Sequence, residues 1–297
     1  LNQSPFIQIR RAATVPYFEN RRGLKIFYEE YNPSGEKCVT LLHGWGSSAS
    51  FFANQIPMLV ERGFHILAFD AEGHGKSEKA KLTSINDFTS KNRDHILQDF
   101  EDLARKLALP PRLGLIGHSL VGGGIAQLYA LNHPDKVDWL GLLNTGTLLI
   151  DNVVRNVFWN ALPTFIRIQY ESFIQNPDNL FSILDKMIPF INLAISTELG
   201  DYKNPPEELN VLIQMEIQEM FSEPIPAENI QVPALIIGAE LDDFAPLQLS
   251  KDLHAKIPGS ELKIISMSGH FAPAHRWEEV NEYLGEFIDH VESDQNG

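Results

Sequence analysis

The stretch from Leu113 to Ile125 constrains the fold of this 297-residue chain more than any other. It reads Leu113-Gly114-Leu115-Ile116-Gly117-His118-Ser119-Leu120-Val121-Gly122-Gly123-Gly124-Ile125. The apolar run ahead of Ser119 has the length and character of a strand buried on both faces, which requires parallel neighbours and helices covering the sheet. The glycine-rich segment behind it leads into a helical stretch from Ile125 to Leu131. A serine at such a strand-to-helix corner is held in a sharp, strained turn that exposes its hydroxyl at the end of the sheet. A glycine-rich loop with an incidental serine would leave the pattern of the remaining chain unexplained.

That pattern alternates strands and helices. Residues 17–31 read as a hairpin, with polar turn chemistry at 19–23 and an alternating strand from Leu24 of the kind found at an exposed edge. Residues 38–42 form an apolar strand that delivers His43-Gly44-Trp45-Gly46 to the sheet end. A helix is expected over 50–61, a strand over 65–69, a turn-rich loop from Asp70 to Ser77, and a long helix over 86–107. A further strand over 137–143 follows the turn Asn132-His133-Pro134-Asp135. This order builds an α/β fold: a mostly parallel central sheet with helices on both faces. From Gly146 to about Ile225 the strand signal vanishes, and segments 153–170, 179–195 and 206–220 read as helices separated by Pro or Gly. The expected organisation is therefore a core in two parts, 1–145 and 227–297, interrupted by a helical insertion at 146–226. The second part supplies a strand over 233–238, a helix over 247–257, a strand over 261–265 and a helix over 277–291, with a frayed tail from Glu292 to Gly297.

Composition narrows the function classes. A formal net charge of −15, with no long cationic stripe, argues against nucleic acid as a partner. No run is long and apolar enough to span a membrane. The lone cysteine, Cys38, sits in an apolar strand; it permits no internal disulfide and no thiolate metal cluster. Residues 1–20 lack the continuous apolar region of a secretory signal, so the cytoplasm is the expected compartment, although a chain starting at Leu1 is compatible with a leader removed upstream. Neither Gly73-His74-Gly75 nor Gly122–Gly124 has the spacing of a dinucleotide loop or P-loop, and no histidine pair has a metal-binding spacing. The expected chemistry uses no cofactor.

A serine hydroxyl is a weak nucleophile until a base takes its proton and a third group orients that base. His270 follows the last strand and Asp242 follows the strand before it, so Ser119, Asp242 and His270 all fall at carboxyl ends of strands, where open α/β sheets place their sites. Asp243 is adjacent and Glu240 is near.

With His43-Gly44-Trp45-Gly46, Asp70 to Ser77, Gly117-His118-Ser119, Asp242 with Pro246, and Gly269-His270 in this order, the chain resembles the α/β-hydrolase fold superfamily, in the branch carrying a helical cap. The resemblance implies Ser119 as nucleophile, His270 as general base and then acid, and Asp242 as orienting carboxylate; the family's spacing from acid to proline favours Asp242 over Asp243. It implies backbone N–H groups of Trp45 and Leu120 as the oxyanion hole, each worth about 3–4 kcal/mol in the transition state. Some relatives carry the acid after the strand that follows the nucleophile helix; Asn144 stands there in this chain. The family's elbow usually reads Gly-x-Ser-x-Gly, whereas Val121 fills the last of these positions. Its side chain must either hold the helix slightly away from its neighbour or point into a pocket. His43 and His74 read as structural, His118 as pointing away from Ser119, and His133 as a surface turn residue.

The insertion is rich in large apolar residues such as Phe158, Trp159, Phe165 and Phe173, and no Arg or Lys cluster invites an anionic substrate. The expected activity is that of a serine esterase cleaving a small to medium, largely apolar carboxylic ester through an acyl-enzyme. Lactone hydrolysis, C–C bond hydrolysis and cofactor-free perhydrolysis on the same residues are alternatives, as is a hydrolase-like ligand sensor with little turnover. Epoxide or haloalkane hydrolysis is disfavoured, because those relatives use aspartate where Ser119 stands.

Overall fold

The computed structural model describes residues 16–44, 46–78, 92–147 and 225–295. The helical segments expected within 148–224, the start of the helix expected over 86–107, and Trp45 lie outside the described residues. The strands are β1 (Tyr17–Glu19), β2 (Lys25–Tyr31), β3 (Cys38–Leu42), β4 (His65–Phe69), β5 (Leu113–His118), β6 (Val137–Leu143), β7 (Ala234–Ala239) and β8 (Glu261–Ile265). They form one sheet in the order β1-β2-β4-β3-β5-β6-β7-β8. The β1–β2 and β2–β4 pairs are antiparallel; every pair from β4 to β8 is parallel. Among the described residues, the α-helices longer than four residues are α1 (Gln55–Glu61), α2 (Asn92–Lys106), α3 (Ser119–Asn132), α4 (Leu247–Lys256) and α5 (Trp277–Gln295).

Because successive strand residues face opposite sides, the unbroken apolar runs feed two cores. Leu42, Leu67, Leu115 and Ile236 face one core with α2, α3 and α4. Leu41, Ile66, Ile116 and Ile237 face the other with α1 and α5. Helix α2 presents Ile96, Phe100 and Leu103 at helical spacing, with the Phe100 ring 6.0 Å from Phe69 and 4.7 Å from Tyr129. Helix α5 presents Val280, Leu284, Phe287, Ile288 and Val291 to the opposite face.

Four details depart from the sequence-based expectation. The strand starting near Leu24 is internal, because the three-residue β1 occupies the edge and buries its Ile26, Phe27 and Tyr28. The helix expected over 50–61 is a short 3-10 turn, Ala49–Phe52, followed by α1. Pro57 has no N–H to donate, so it fits only in the first turn of an α-helix and forces a fresh start near Gln55. The C-terminal helix continues through Gln295 instead of fraying at Glu292, where the Glu292 carboxylate pairs with Lys37 at 2.9 Å.

The largest difference is at the central helix. Helix α3 begins at Ser119, not at Ile125, so the glycine run forms its first turns. Each internal glycine costs about 1 kcal/mol of helix propensity. The compensation is close packing. A Cβ added at Gly122 would run into the Leu42 and His43 carbonyl oxygens, and one at Gly123 would meet the Thr145 side chain. One at Gly117 would strike the backbone of Gly122. These residues read as loop by propensity and are helical by tertiary packing.

The Ile225 N–H donates to the Thr147 carbonyl at 3.1 Å, so the described residues on either side of 148–224 lie next to each other. Among the described residues, no helix is long and apolar enough to cross a membrane.

Gly122→Ala is predicted to destabilise the fold by about 3 kcal/mol or more, because the obstructing atoms are backbone and cannot swing away. Gly259→Ala has open space around it and only a φ of +71° to contend with, so its cost is about 1–2 kcal/mol. Urea midpoints of the two variants measure this, and a Gly122→Ala midpoint no lower than that of Gly259→Ala would contradict the packing argument.

Candidate active site

The chain turns from β5 into α3 without a linking residue. His118 is still extended, at φ −105° and ψ 142°, while Ser119 has φ 60°, the left-handed region that costs a side-chain-bearing residue about 1–2 kcal/mol. The turn leaves Ser119 half-buried at the carboxyl end of the central strand. Gly44, after β3, packs directly on it: a Cβ at Gly44 would stand 2.7 Å from that of Ser119.

Loops after β7 and β8 bring Asp242 and His270 to the same end. The Ser119 hydroxyl lies 2.9 Å from His270 Nε2, and His270 Nδ1 lies 2.8 and 3.0 Å from the two oxygens of Asp242. With the carboxylate on its Nδ1 side, the neutral ring carries its proton there and offers Nε2 as acceptor to the serine. The Asp242 side chain is fully buried and that of His270 nearly so. Asp242 Oδ1 accepts the N–H groups of Phe244 at 2.9 Å and Ala245 at 2.7 Å, and Oδ2 accepts the Asn144 amide at 2.8 Å. Asp243 is exposed, and Glu240 accepts the Met267 N–H at 3.0 Å, so of the three acidic residues Asp242 is the one joined to His270.

Leu120 is the second residue of α3, and its N–H belongs to the first turn, whose donors have no acceptor inside the helix and carry the positive end of its dipole. Around position 45, the Ser47 N–H closes a turn on the Gly44 carbonyl at 3.3 Å, and Gly46 takes φ 69°. This loop is pinned from below by the buried Asp70, whose carboxylate accepts the N–H groups of Ala49 at 2.7 Å and Lys76 at 2.8 Å.

The other histidines brace the backbone. His43 Nδ1–H donates to the Gly44 carbonyl at 2.7 Å, and Nε2 accepts the Ala71 N–H at 2.9 Å, tying the β3 loop to the β4 loop. His74 bonds the Glu72 carbonyl at 2.9 Å. The His118 ring stacks on Phe51 with centroids 4.2 Å apart, lies 4.8 Å from the His270 ring, and donates from Nε2 to the His270 carbonyl at 2.9 Å. His133 pairs with Glu101 at 2.8 Å on the surface. Val121 is buried in the same core as Leu42, Phe69, Ala71, Ile96 and Ile125, while Gly122 makes the close contact with β3.

Two bracing residues escaped the sequence reading of the site. The sequence signal at Asn144 is an Asn directly after a buried strand, a residue type tolerant of the positive φ it adopts, 50°. Asp70 stands in a stretch of turn residues, and its signal is an acid directly after a buried strand, an anchor for backbone N–H groups. Among the described residues, no group of three His, Cys, Asp or Glu side chains could hold a metal ion.

Residues 37–274 match the family described as alpha/beta hydrolase fold. An uncharacterized hydrolase of Bacillus subtilis is 28% identical over 271 residues, covering 90% of this chain and 95% of its own length. The proline iminopeptidase of Saccharolobus solfataricus is 26% identical over 300 residues, covering 91% of each. Among solved structures, an esterase from Exiguobacterium antarcticum aligns with a TM-score of 0.66 at 22% identity, over 94% of this chain and 100% of that one.

Burial pushes the His118 ring well below the ordinary imidazole pKa. The neighbouring His270 adds to this, while the hydrogen bond to the His270 carbonyl opposes it. Burial likewise lowers His43, against the pull of the Asp70 charge and the Gly44 carbonyl. Both rings therefore stay neutral in the fold at pH values where the unfolded chain protonates them. As pH falls below about 6.5 the unfolded state binds protons that the folded state refuses, so stability drops; above that pH neither ring contributes to the dependence. Each ring adds up to about 1.4 kcal/mol per pH unit to the slope. Denaturant titrations between about pH 5 and 6.5 should show a shallower slope for His118→Gln than for the unaltered chain, and identical slopes would contradict the burial effect.

Proposed function

The chain belongs to the alpha/beta hydrolase fold family and is a hydrolase; on that premise we propose that it cleaves a small to medium, largely apolar carboxylic ester through an acyl-enzyme intermediate at Ser119. The observation that carries this reading is the unbroken hydrogen-bond chain from Ser119 through His270 to the buried Asp242, at 2.9 and 2.8 Å. His270 takes the serine proton as Oγ attacks the ester carbonyl, and Asp242 stabilises the imidazolium so formed. The oxyanion is assigned to the backbone N–H groups of Leu120, in the first turn of α3, and of Trp45. Collapse of the tetrahedral intermediate breaks the ester C–O bond, and His270 protonates the departing alcohol. Water then enters, gives its proton to His270, and releases the acid from Ser119.

An apolar acyl group is favoured by the surroundings of the base. The Phe244 ring, partly exposed, lies 5.3 Å from the His270 ring, and Phe271 lies 5.4 Å from it. The sequence of the 146–226 insertion adds many large apolar side chains at the point where the core chain is interrupted, which fits a cap contributing to the acyl site. Lactone opening, C–C bond hydrolysis and perhydrolysis begin from the same residues, and a ligand sensor would keep them without rapid turnover. The small-molecule substrate class is what the test must separate.

Nitrophenyl esters of increasing acyl length, alongside lactones and aminoacyl amides, are the direct panel. Ester turnover is expected to fall about 10⁴- to 10⁶-fold in Ser119→Ala and about 10⁴-fold in Asp242→Asn, with circular dichroism unchanged. Turnover confined to lactones or amides would replace the ester assignment. Binding without turnover in the unaltered chain would favour the sensor.

A further inference from the structure

We infer that Asn144 is a positioning residue of this site: its amide clamps the Asp242 carboxylate from the end opposite the backbone donors and so fixes the His270 ring against Ser119. The kinetic consequence rests on the serine-hydrolase reading; the geometric one does not.

Asn144 follows β6 directly. Its backbone N–H donates to the Ile237 carbonyl at 2.7 Å, extending the β6–β7 ladder by one rung, and its φ of 50° then turns the chain. Asn, Asp and Gly adopt this conformation at least cost. The residue is completely buried, and Nδ2 donates to Asp242 Oδ2 at 2.8 Å. The other oxygen, Oδ1, is already held by Phe244 and Ala245. The carboxylate is thus gripped at both ends before His270 is considered. The terminal torsion of an aspartate is broad, so a carboxylate held at one oxygen can rock about its Cβ–Cγ bond. Donors at both oxygens fix its plane. The ring of His270, bonded at 2.8 and 3.0 Å, takes its orientation from that plane and meets Ser119 at 2.9 Å.

The choice of residue supports the same conclusion. A glycine would satisfy the backbone without burying a polar group. Asn144 instead buries an amide whose Oδ1 has no hydrogen-bond partner among the described residues, a cost that its bond to Asp242 must offset. An aspartate would also suit the backbone, but it would set a second carboxylate against the first and offer no donor when ionised. Asparagine supplies the donor with no added charge.

The full chain is tested as Asn144→Gly, which removes the amide and keeps the turn, and as Asn144→Asp, which keeps the shape and replaces donor by acceptor. Near pH 8, both are expected to lower kcat by about 10- to 100-fold with KM within about twofold, the pattern of a misoriented base with substrate binding intact. The proton NMR resonance of His270 Nδ1–H, expected far downfield of the amides in the unaltered chain, should move or broaden in both. Should Asn144→Gly fail to fold, the near-isosteric Asn144→Asp carries the test. Unchanged kcat in either folded variant, or a fall in kcat with the resonance unmoved, overturns the inference. If the unaltered chain shows no Ser119-dependent turnover, the hydrolase reading of Ser119 fails by itself, and the resonance comparison still decides whether Asn144 holds the acid–base pair.

Discussion

The close approach of the first turns of α3 to the ends of β3, β5 and β6 is the constraint on which the rest of the structure depends. Only residues without a Cβ permit it at Gly117, Gly122 and Gly123. Bringing the helix in so tightly leaves no room for a linker after β5. Ser119 must therefore make the strand-to-helix turn itself, at φ 60°, and its side chain is left at the open end of the sheet. The strain at Ser119 and the helix-propensity cost of the glycines are offset by the apolar cores on both sheet faces. The same packing puts the Leu120 N–H in the first turn of a helix.

A layer of buried polar residues translates this into a defined site. Each lies at or just beyond a strand end and holds a neighbouring loop. His43 and Asp70 tie the loops after β3 and β4 together, His118 holds the backbone of the loop that carries His270, and Asn144 holds Asp242. Hydrogen bonds to buried charged groups are stronger than neutral ones and costly to leave unmade, so these ties resist small displacements. His118 and His43 do this as neutral rings, the state that burial enforces. Loops that would otherwise vary in position are thereby referred back to the rigid sheet.

What could be read from the sequence follows from the physics of each element. The central strands were legible because burial on both faces demands apolar runs such as Ile66–Phe69, Trp139–Leu143 and Ala234–Ala239. The positions of Ser119, Asp242 and His270 at strand ends were legible from residue type and order, and His270 lies within hydrogen-bond reach of each of the other two. The start of α3 was not, because local propensity assigns Gly122–Gly124 to a loop and only contacts with Leu42 and Thr145 make them helical. The break before α1 was hidden inside a helical period that Pro57 interrupts. Asn144 was invisible as a functional residue because its role depends on Asp242, 98 positions away. Interactions between sequence-distant polar side chains leave no periodic trace.

The most direct measurement of the central claim is the trapping of the covalent intermediate. Acid quench of the full chain during turnover of an activated ester, followed by peptide mapping by mass spectrometry, should find the acyl mass on the peptide that contains Ser119. The adduct should be absent from Ser119→Ala. Steady turnover with no acylated peptide, or with the acyl group on another residue, would contradict the assignment of Ser119 as nucleophile.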